Sequence, residues 1–155
     1  METAVGDWAG HAHATLGRGG YRSSAPRSAV VGAIAELGCS VTAREIADLL
    51  EEQGRGVGLA SVYRALDLLD RLRLVQRFDV GEGVARYEPA HPGGEHHHHL
   101  VCQSCGNVSA FEDSELERAI ERLSRHVDFT IDAHDVTLRG ECPACASAPP
   151  ERLGP

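Results

Sequence analysis

Two Cys-x-x-Cys pairs in the C-terminal part of the chain constrain its fold more than any other feature. The first pair is Cys102 and Cys105, and the second is Cys142 and Cys145. Each pair places two thiolates on one tight turn, and two such turns complete the tetrahedral S4 shell that zinc prefers. A closed shell leaves no position for a substrate, so the sequence predicts a structural zinc. Free or redox-active cysteines are the alternative, and the fifth cysteine, Cys39, is interpreted as a small apolar helix residue.

The N-terminal sequence favours metal binding over a disulfide framework. Residues 1–20 lack the charged-then-apolar design of a signal peptide. No stretch approaches the roughly 20 apolar residues of a membrane span. Cysteines in a chain of this kind are expected to bind metal. We therefore expect a cytoplasmic protein with no membrane contact.

The first half of the chain has the pattern of three helices followed by a β-hairpin. The predicted helices are 28–37, a second beginning at the capping-box pattern Thr42-x-x-Glu45, and about 60–72; the predicted strands are 74–78 and 84–88 around the glycine-rich turn 79–83. This order is typical of a winged helix-turn-helix. Any small helical domain with a hairpin is the alternative.

The second half predicts a small α/β domain that carries the metal ligands. Its expected elements are strands 96–102 and 107–111, a helix over 114–126 and a last strand over 135–140. The fold class is therefore α+β. The predicted organisation is a disordered lead 1–14, a winged-helix domain 15–88, a hinge 89–95, a metal-binding domain 96–147 and a disordered tail 148–155.

The net charge of −8 argues against nucleic-acid binding, because DNA-binding domains are usually basic, but the charge is unevenly spread. Residues 15–85 contain nine Arg against nine acidic residues, whereas residues 86–155 contain six Arg against twelve. The chain has no Lys, and Arg is the better residue for bidentate contacts to phosphate or guanine. The acidic surplus thus lies outside the predicted winged helix.

Four consecutive histidines precede the first cysteine pair. On a strand, His96 and His98 would face one side and His97 and His99 the other. One strand would then supply two ligands to each of two sites. Neutral imidazoles suit zinc, iron, nickel or cobalt, and a solvated polar strand is the alternative.

These motifs together resemble one known family. The segments 22–27, 58–66, 86–88 and 96–105 and the closing Cys-x-x-Cys are similar to the ferric uptake regulator family of bacterial metalloregulators, which includes Fur, Zur, Nur and PerR. The resemblance runs from Thr15 to Cys145. It implies a metal-dependent transcriptional repressor that binds palindromic operator DNA as a homodimer when its regulatory site holds Zn(II) or Fe(II). Such a repressor controls metal-uptake genes, and the histidine run slightly favours the zinc-sensing branch.

The resemblance also implies roles for individual residues. DNA contacts would come from Arg18, Arg22, Ser61, Tyr63 and Arg64. A site inside the C-terminal dimerisation domain would use His96, His98, Glu117 and His134. Glu117 has an alternative role, since Ser114-x-x-Glu117 is itself a capping-box pattern.

The regulatory hinge site implied by the resemblance would use Glu88, His97 and His99. Its fourth ligand is open, because iron sensors of the family usually have a histidine where this chain has Ser40. His91 is the first candidate for this ligand, and Cys39 is a distant second. Peroxide sensors have Asp at the position of Glu88 and an acidic residue at the position of Ala110, which argues against peroxide sensing.

Two other classes of function stay open on the sequence alone. One is a small metal-dependent hydrolase, which needs an open metal position and a general base. The other is a zinc-stapled interaction module that does not bind DNA. DNA binding with and without metal separates these classes from a repressor.

Overall fold

The computed structural model describes residues 3–38, 40–81, 83–90 and 97–147. The chain divides into two units, Met1–Glu95 and His96–Pro155. The first unit contains α1 (Thr3–Arg18), α2 (Ala25–Leu37), β1 (Val41–Thr42), α3 (Ala43–Glu52), α4 (Leu59–Arg71), β2 (Val75–Asp79) and β3 (Ala85–Pro89); the second contains β4 (His98–Cys102), β5 (Val108–Phe111), α5 (Ser114–Ser124), β6 (Thr137–Gly140) and α6 (Pro143–Ala146). None of these helices has the length and apolar character that a bilayer span requires.

The predicted winged helix is confirmed in the first unit. Helices α2, α3 and α4 are followed by the antiparallel β2–β3 hairpin, and β1 adds a third strand in the order β1-β3-β2. The predicted capping box opens α3, where the backbone N–H of Glu45 donates to Thr42 Oγ1 (3.1 Å) and that of Thr42 donates to Glu45 Oε2 (2.7 Å). Strand β1 was not predicted, because two residues are too few to carry a periodic pattern.

The prediction of a disordered lead over residues 1–14 is wrong for the described residues. Helix α1 begins at Thr3, and Trp8, Ala12 and Leu16 lie four residues apart on its buried face. The side chain of Trp8 is 1% exposed, and its indole Nε1 donates to the carbonyl of Leu74 at 2.7 Å. The Gly, Ala and His content hid this short apolar stripe.

The core of the first unit fixes which face of α4 stays in solvent. Val62, Leu66 and Leu69 of α4 are fully buried. They pack in one cluster with buried residues of α1, α2 and α3: Trp8, Leu16, Val30, Val31, Ile34, Ile46 and Leu50. The opposite face of α4 is thereby left outward.

A glycine-rich turn joins β2 to β3 as predicted. Asp79 Oδ1 accepts the backbone N–H of Gly81 at 2.7 Å, and Gly81 and Gly83 have φ of 104° and 72°. These left-handed conformations favour glycine. The remaining turn residue, Glu82, lies outside the described residues.

The second unit is built on a three-stranded sheet in the order β5-β4-β6. Strand β4 pairs antiparallel with β5 and parallel with β6, in a register that places Cys102 opposite Gly140. Because the two strands run in the same direction, the segments that follow them meet at one edge of the sheet. Pro89 belongs to β3 rather than to a hinge. The predicted tail 148–155 and residues 91–95 of the predicted hinge lie outside the described residues.

Candidate metal centres and nucleic-acid interface

The four paired cysteines come together at the edge where β4 and β6 end. Their sulfur atoms all lie within 4.8 Å of one another, and the Sγ atoms of Cys105 and Cys142 are 3.8 Å apart. A tetrahedral zinc with Zn–S bonds of about 2.3 Å needs sulfurs about 3.8 Å apart. The residues therefore fit a Zn(II) S4 site. Zinc there would tie two segments that are far apart in sequence.

Hydrogen bonds within this cluster separate the pKa values of its thiols. The pKa of Cys102 is lowered to about 6, chiefly because the backbone N–H of Cys142 donates to its sulfur at 3.3 Å. The pKa of Cys145 is raised to about 12, chiefly by its hydrogen bond with the side chain of Cys142. Cys102 is thus the thiol most readily present as the thiolate that metal binding requires.

A second candidate centre combines a strand, a helix and the segment before β6. His98 Nε2 lies 2.6 Å from Glu117 Oε1, and His134 Nε2 lies 3.0 Å from Glu117 Oε2. Ligands about 2.0–2.1 Å from a tetrahedral metal are about 3.4 Å apart, so small side-chain movements would admit an ion. The donor set fits zinc or iron. The fourth predicted ligand, His96, lies outside the described residues.

The capping-box interpretation of Ser114 and Glu117 is wrong. The N-cap of α5 is Asp113, whose Oδ1 accepts the backbone N–H groups of Glu115 (2.9 Å) and Leu116 (2.8 Å). Ser114 is the first helical residue, so the Glu117 carboxylate is not needed at the helix start. It contacts His98 and His134 instead.

The residues predicted for the hinge site are placed separately in the two units. Glu88 lies in β3 of the first unit, and its side chain is buried. His99 lies in β4 of the second unit and is also buried. His97 Nδ1 lies 3.0 Å from Glu112 Oε1. The proposed fourth ligands, His91 and Cys39, lie outside the described residues.

The contact of Glu112 with His97 is not predicted from the sequence. The antiparallel register pairs His98 with Phe111, which brings the residues on either side of them, His97 and Glu112, next to each other. The predicted pairing of the two strands could have revealed this contact, once its register was known.

Helix α4 presents the predicted DNA-contacting residues on its solvent face. Tyr63 is 47% exposed. Arg64 is exposed, and its Nη2 donates to Ser61 Oγ at 2.9 Å. One face of the helix thus carries a hydroxyl, a phenol and a guanidinium.

Arg18 lies at the start of the connection between α1 and α2, and Arg22 lies within it. Arg18 ends α1, where its Nη2 donates to Thr15 Oγ1 at 3.1 Å. Arg22 lies in the turn, and both side chains are exposed. Their positions are open to an anionic partner.

Comparison with known proteins supports the same family over most of the chain. The model of the Ferric uptake regulator family matches residues 18–139. The ferric uptake regulation protein of Bacillus subtilis is 40% identical over 106 residues, which is 68% of this chain and 71% of that protein.

Solved structures of related proteins have a similar fold. The Vibrio cholerae ferric uptake regulator has a TM-score of 0.73 and 28% identity, and the match covers 82% of this chain and 96% of that one. The Pseudomonas aeruginosa regulator, solved with manganese, has a TM-score of 0.73 and 28% identity, with 84% and 97% covered. Proteins of this family are transcription regulators and not enzymes, so the hydrolase alternative is not favoured. The chain belongs to the ferric uptake regulator family.

Proposed function

We propose that this protein is a metal-dependent transcriptional repressor. As a homodimer it binds palindromic operator DNA when its regulatory site holds Zn(II) or Fe(II). It acts in the cytoplasm and controls genes of metal uptake. The observation that carries the proposal is the exposed face of α4 on a winged helix, in a chain that also gathers two sets of metal ligands.

The geometry of α4 supports a role as recognition helix. Its buried side chains are anchored in the core, so Tyr63 and Arg64 project from a rigid scaffold. Arginine can donate two hydrogen bonds to guanine, and an aromatic ring can contact the thymine methyl group in the major groove. A dimer would place two such helices in successive major grooves of a palindrome.

The ligand sets support a division between a structural and a regulatory metal. The S4 cluster has a closed shell and would hold zinc permanently. His98, Glu117 and His134 would hold a second ion inside the C-terminal unit. We propose Glu88, His97 and His99 as ligands of the regulatory ion. A metal ion that binds more tightly to the DNA-binding conformation than to the other conformation shifts the protein toward it. Metal binding is then coupled to DNA binding, as a metal-dependent repressor requires.

The sparse burial in the second unit supports homodimerisation. None of the residues of α5 is buried. Leu123, Phe129 and Leu138 are 58%, 80% and 50% exposed. So much apolar surface on a small unit marks an interaction site, and a second copy of the chain is the partner we propose.

A mobility-shift assay with duplexes selected from a random pool tests the proposal. The zinc-loaded protein is assayed with added Zn(II), added Fe(II) under anaerobic conditions, and a chelator of the regulatory metal. We expect binding only with metal, and an enriched sequence that is palindromic. Selection of no palindrome, or binding that ignores metal, would contradict the proposal.

The contact face is tested by Arg64→Ala, with Arg71→Ala as the matched control. Both arginines are exposed on α4, but Arg71 lies in its last turn, away from Tyr63. Arg64→Ala is expected to weaken specific binding by about 10-fold or more, since a good base contact contributes about 1–3 kcal/mol. Arg71→Ala is expected to change it far less. Equal effects would mean that α4 does not read the DNA.

A further inference from the structure

The connection between α1 and α2 has a fixed conformation of its own. The backbone N–H of Tyr21 donates to the carbonyl of Leu16 at 3.0 Å, and that of Gly20 donates to Gly17 at 3.1 Å. Gly20 has φ of 73°, a left-handed conformation that favours glycine. This connection, residues 19–24, is called the α1–α2 turn below, and it carries Arg22.

Gly19 allows an aromatic ring to lie against the backbone of the turn. A Cβ atom at Gly19 would come within 2.9 Å of Cδ2 and Cε2 of Tyr21. Any other residue would displace the ring. The turn is therefore packed on its own side chain as well as hydrogen-bonded.

Arg27 holds the turn from the side of α2. Its Nη1 donates to the carbonyl oxygen of Arg22 at 2.7 Å. Its own backbone is fixed one turn into the helix, where its N–H donates to the N-cap hydroxyl of Ser24 at 3.4 Å. The side chain of Arg27 is half-buried, whereas that of Arg22 is exposed. A helix-anchored guanidinium thus fixes the backbone of an arginine that faces solvent.

We propose that Arg27 is a positioning residue for DNA binding: it acts through Arg22 and does not contact the nucleic acid. This inference rests on the proposed function. An arginine on a loose arm loses conformational entropy when it binds DNA, and prior fixation of its backbone removes part of that cost. Arg27 provides that fixation through one charge-assisted hydrogen bond.

A double-mutant cycle tests the proposal on the selected duplex. The four proteins are the wild type, Arg22→Ala, Arg27→Met and the double variant, each with zinc content and thermal midpoint measured first. Methionine keeps the apolar stem of Arg27 but removes its donors. We expect Arg27→Met to weaken binding about tenfold in the wild-type background. In the Arg22→Ala background we expect about a twofold change or less, because the residue acts through Arg22.

The salt dependence of binding separates positioning from direct contact. A phosphate contact adds about 0.9 to the slope of log affinity against log salt concentration. We expect the double variant to have the same slope as Arg22→Ala. Arg27→Lys should restore most of the affinity, because lysine can still donate to the Arg22 carbonyl, and Arg71→Met should leave affinity unchanged.

Three results would overturn the inference. Additive losses, or a slope lower by about 0.9 in the double variant than in Arg22→Ala, would make Arg27 a phosphate contact itself. An Arg27→Met protein with wild-type affinity would remove its role altogether. A wild type that binds no duplex would overturn the proposed function, and this inference with it.

Discussion

The buried tryptophan of α1 gives the most direct test of the N-terminal structure. Trp8 is 1% exposed, and its indole N–H donates to the Leu74 carbonyl at 2.7 Å. Trp8→Ala removes a fully buried aromatic side chain, which typically costs about 3–5 kcal/mol. A whole domain is stable by only about 5–15 kcal/mol. We therefore expect this variant to lose a large part of the stability of the first unit.

Trp8→Phe removes the indole hydrogen bond and part of the ring volume but keeps an aromatic side chain in the core. The Leu74 carbonyl also accepts the backbone N–H of Ala90 at 3.0 Å, so the substitution does not leave it unsatisfied. The expected loss is about 1–2 kcal/mol, near the cost of one hydrogen bond plus a small cavity. The matched control is His13→Ala, on the exposed side of the same helix, with an expected change under about 0.5 kcal/mol.

Urea unfolding of the zinc-loaded protein, followed by circular dichroism, measures these losses. Trp8 is the only tryptophan, so its fluorescence reports on α1 alone. We expect wild-type emission typical of a buried indole and poorly quenched by iodide. Emission that iodide quenches fully, together with a Trp8→Ala protein as stable as the control, would refute the reasoning and restore a disordered lead.

Three further predictions concern the metal centres. Cys142→Ser is expected to lose the tightly bound zinc that resists mild chelation in the wild type and to lower the thermal midpoint sharply, because a structural zinc contributes on the order of 10 kcal/mol to folding; an unchanged content of chelator-resistant zinc by mass spectrometry would contradict this. His97→Ala and His99→Ala should each lose metal-dependent DNA binding while dimer mass is kept, whereas His98→Ala should mainly lower stability; indistinguishable metal titrations would argue against two separate sites. In metal-depleted protein that circular dichroism shows to be still folded, the Cys102 thiolate should titrate near pH 6, since the backbone N–H of Cys142 lowers its pKa from 9.0 to about 6. The stability that this thiolate contributes is present above pH 9 and lost as the pH falls through about 6, and thiolate absorbance with Cys102→Ser as the control checks it.

The sequence predicts the elements whose patterns are local. The capping box at Thr42 and Glu45 and the apolar stripe of α4 each depend on residues a few positions apart, and both are found in the structure. Helix α1 is not predicted because the buried residues described in it, Trp8, Ala12 and Leu16, stand among Gly, Ala and His residues that give a weak periodic pattern. The helical structure of α1 depends on packing against residues that are distant in the sequence, such as Leu74, and the local pattern does not contain that information.

The candidate sites divide in the same way. The cysteine pairs are recognisable because zinc needs thiolates at a fixed spacing. The role of Glu117 was ambiguous, because the helix start and the histidine cluster both want a carboxylate, and only the position of Asp113 as N-cap decides between them. The bracing of Arg22 by Arg27 follows from the path of the α1–α2 turn, which no spacing rule specifies.

If the cysteine cluster holds zinc as proposed, the parallel pairing of β4 and β6 would make zinc binding a check on the register of the sheet. In the observed register Cys102 lies opposite Gly140, and Cys142 follows two residues later. A slip of one residue would shift β6 by about 3.3 Å along its neighbour and turn its side chains to the other face. Such a shift is almost as long as the 3.8 Å between Cys105 and Cys142 sulfurs, so a slipped sheet could not assemble four ligands. Zinc would therefore bind chains in which β6 has the correct register against β4. Chains with a shifted register would lack the metal cross-link and stay sensitive to proteolysis.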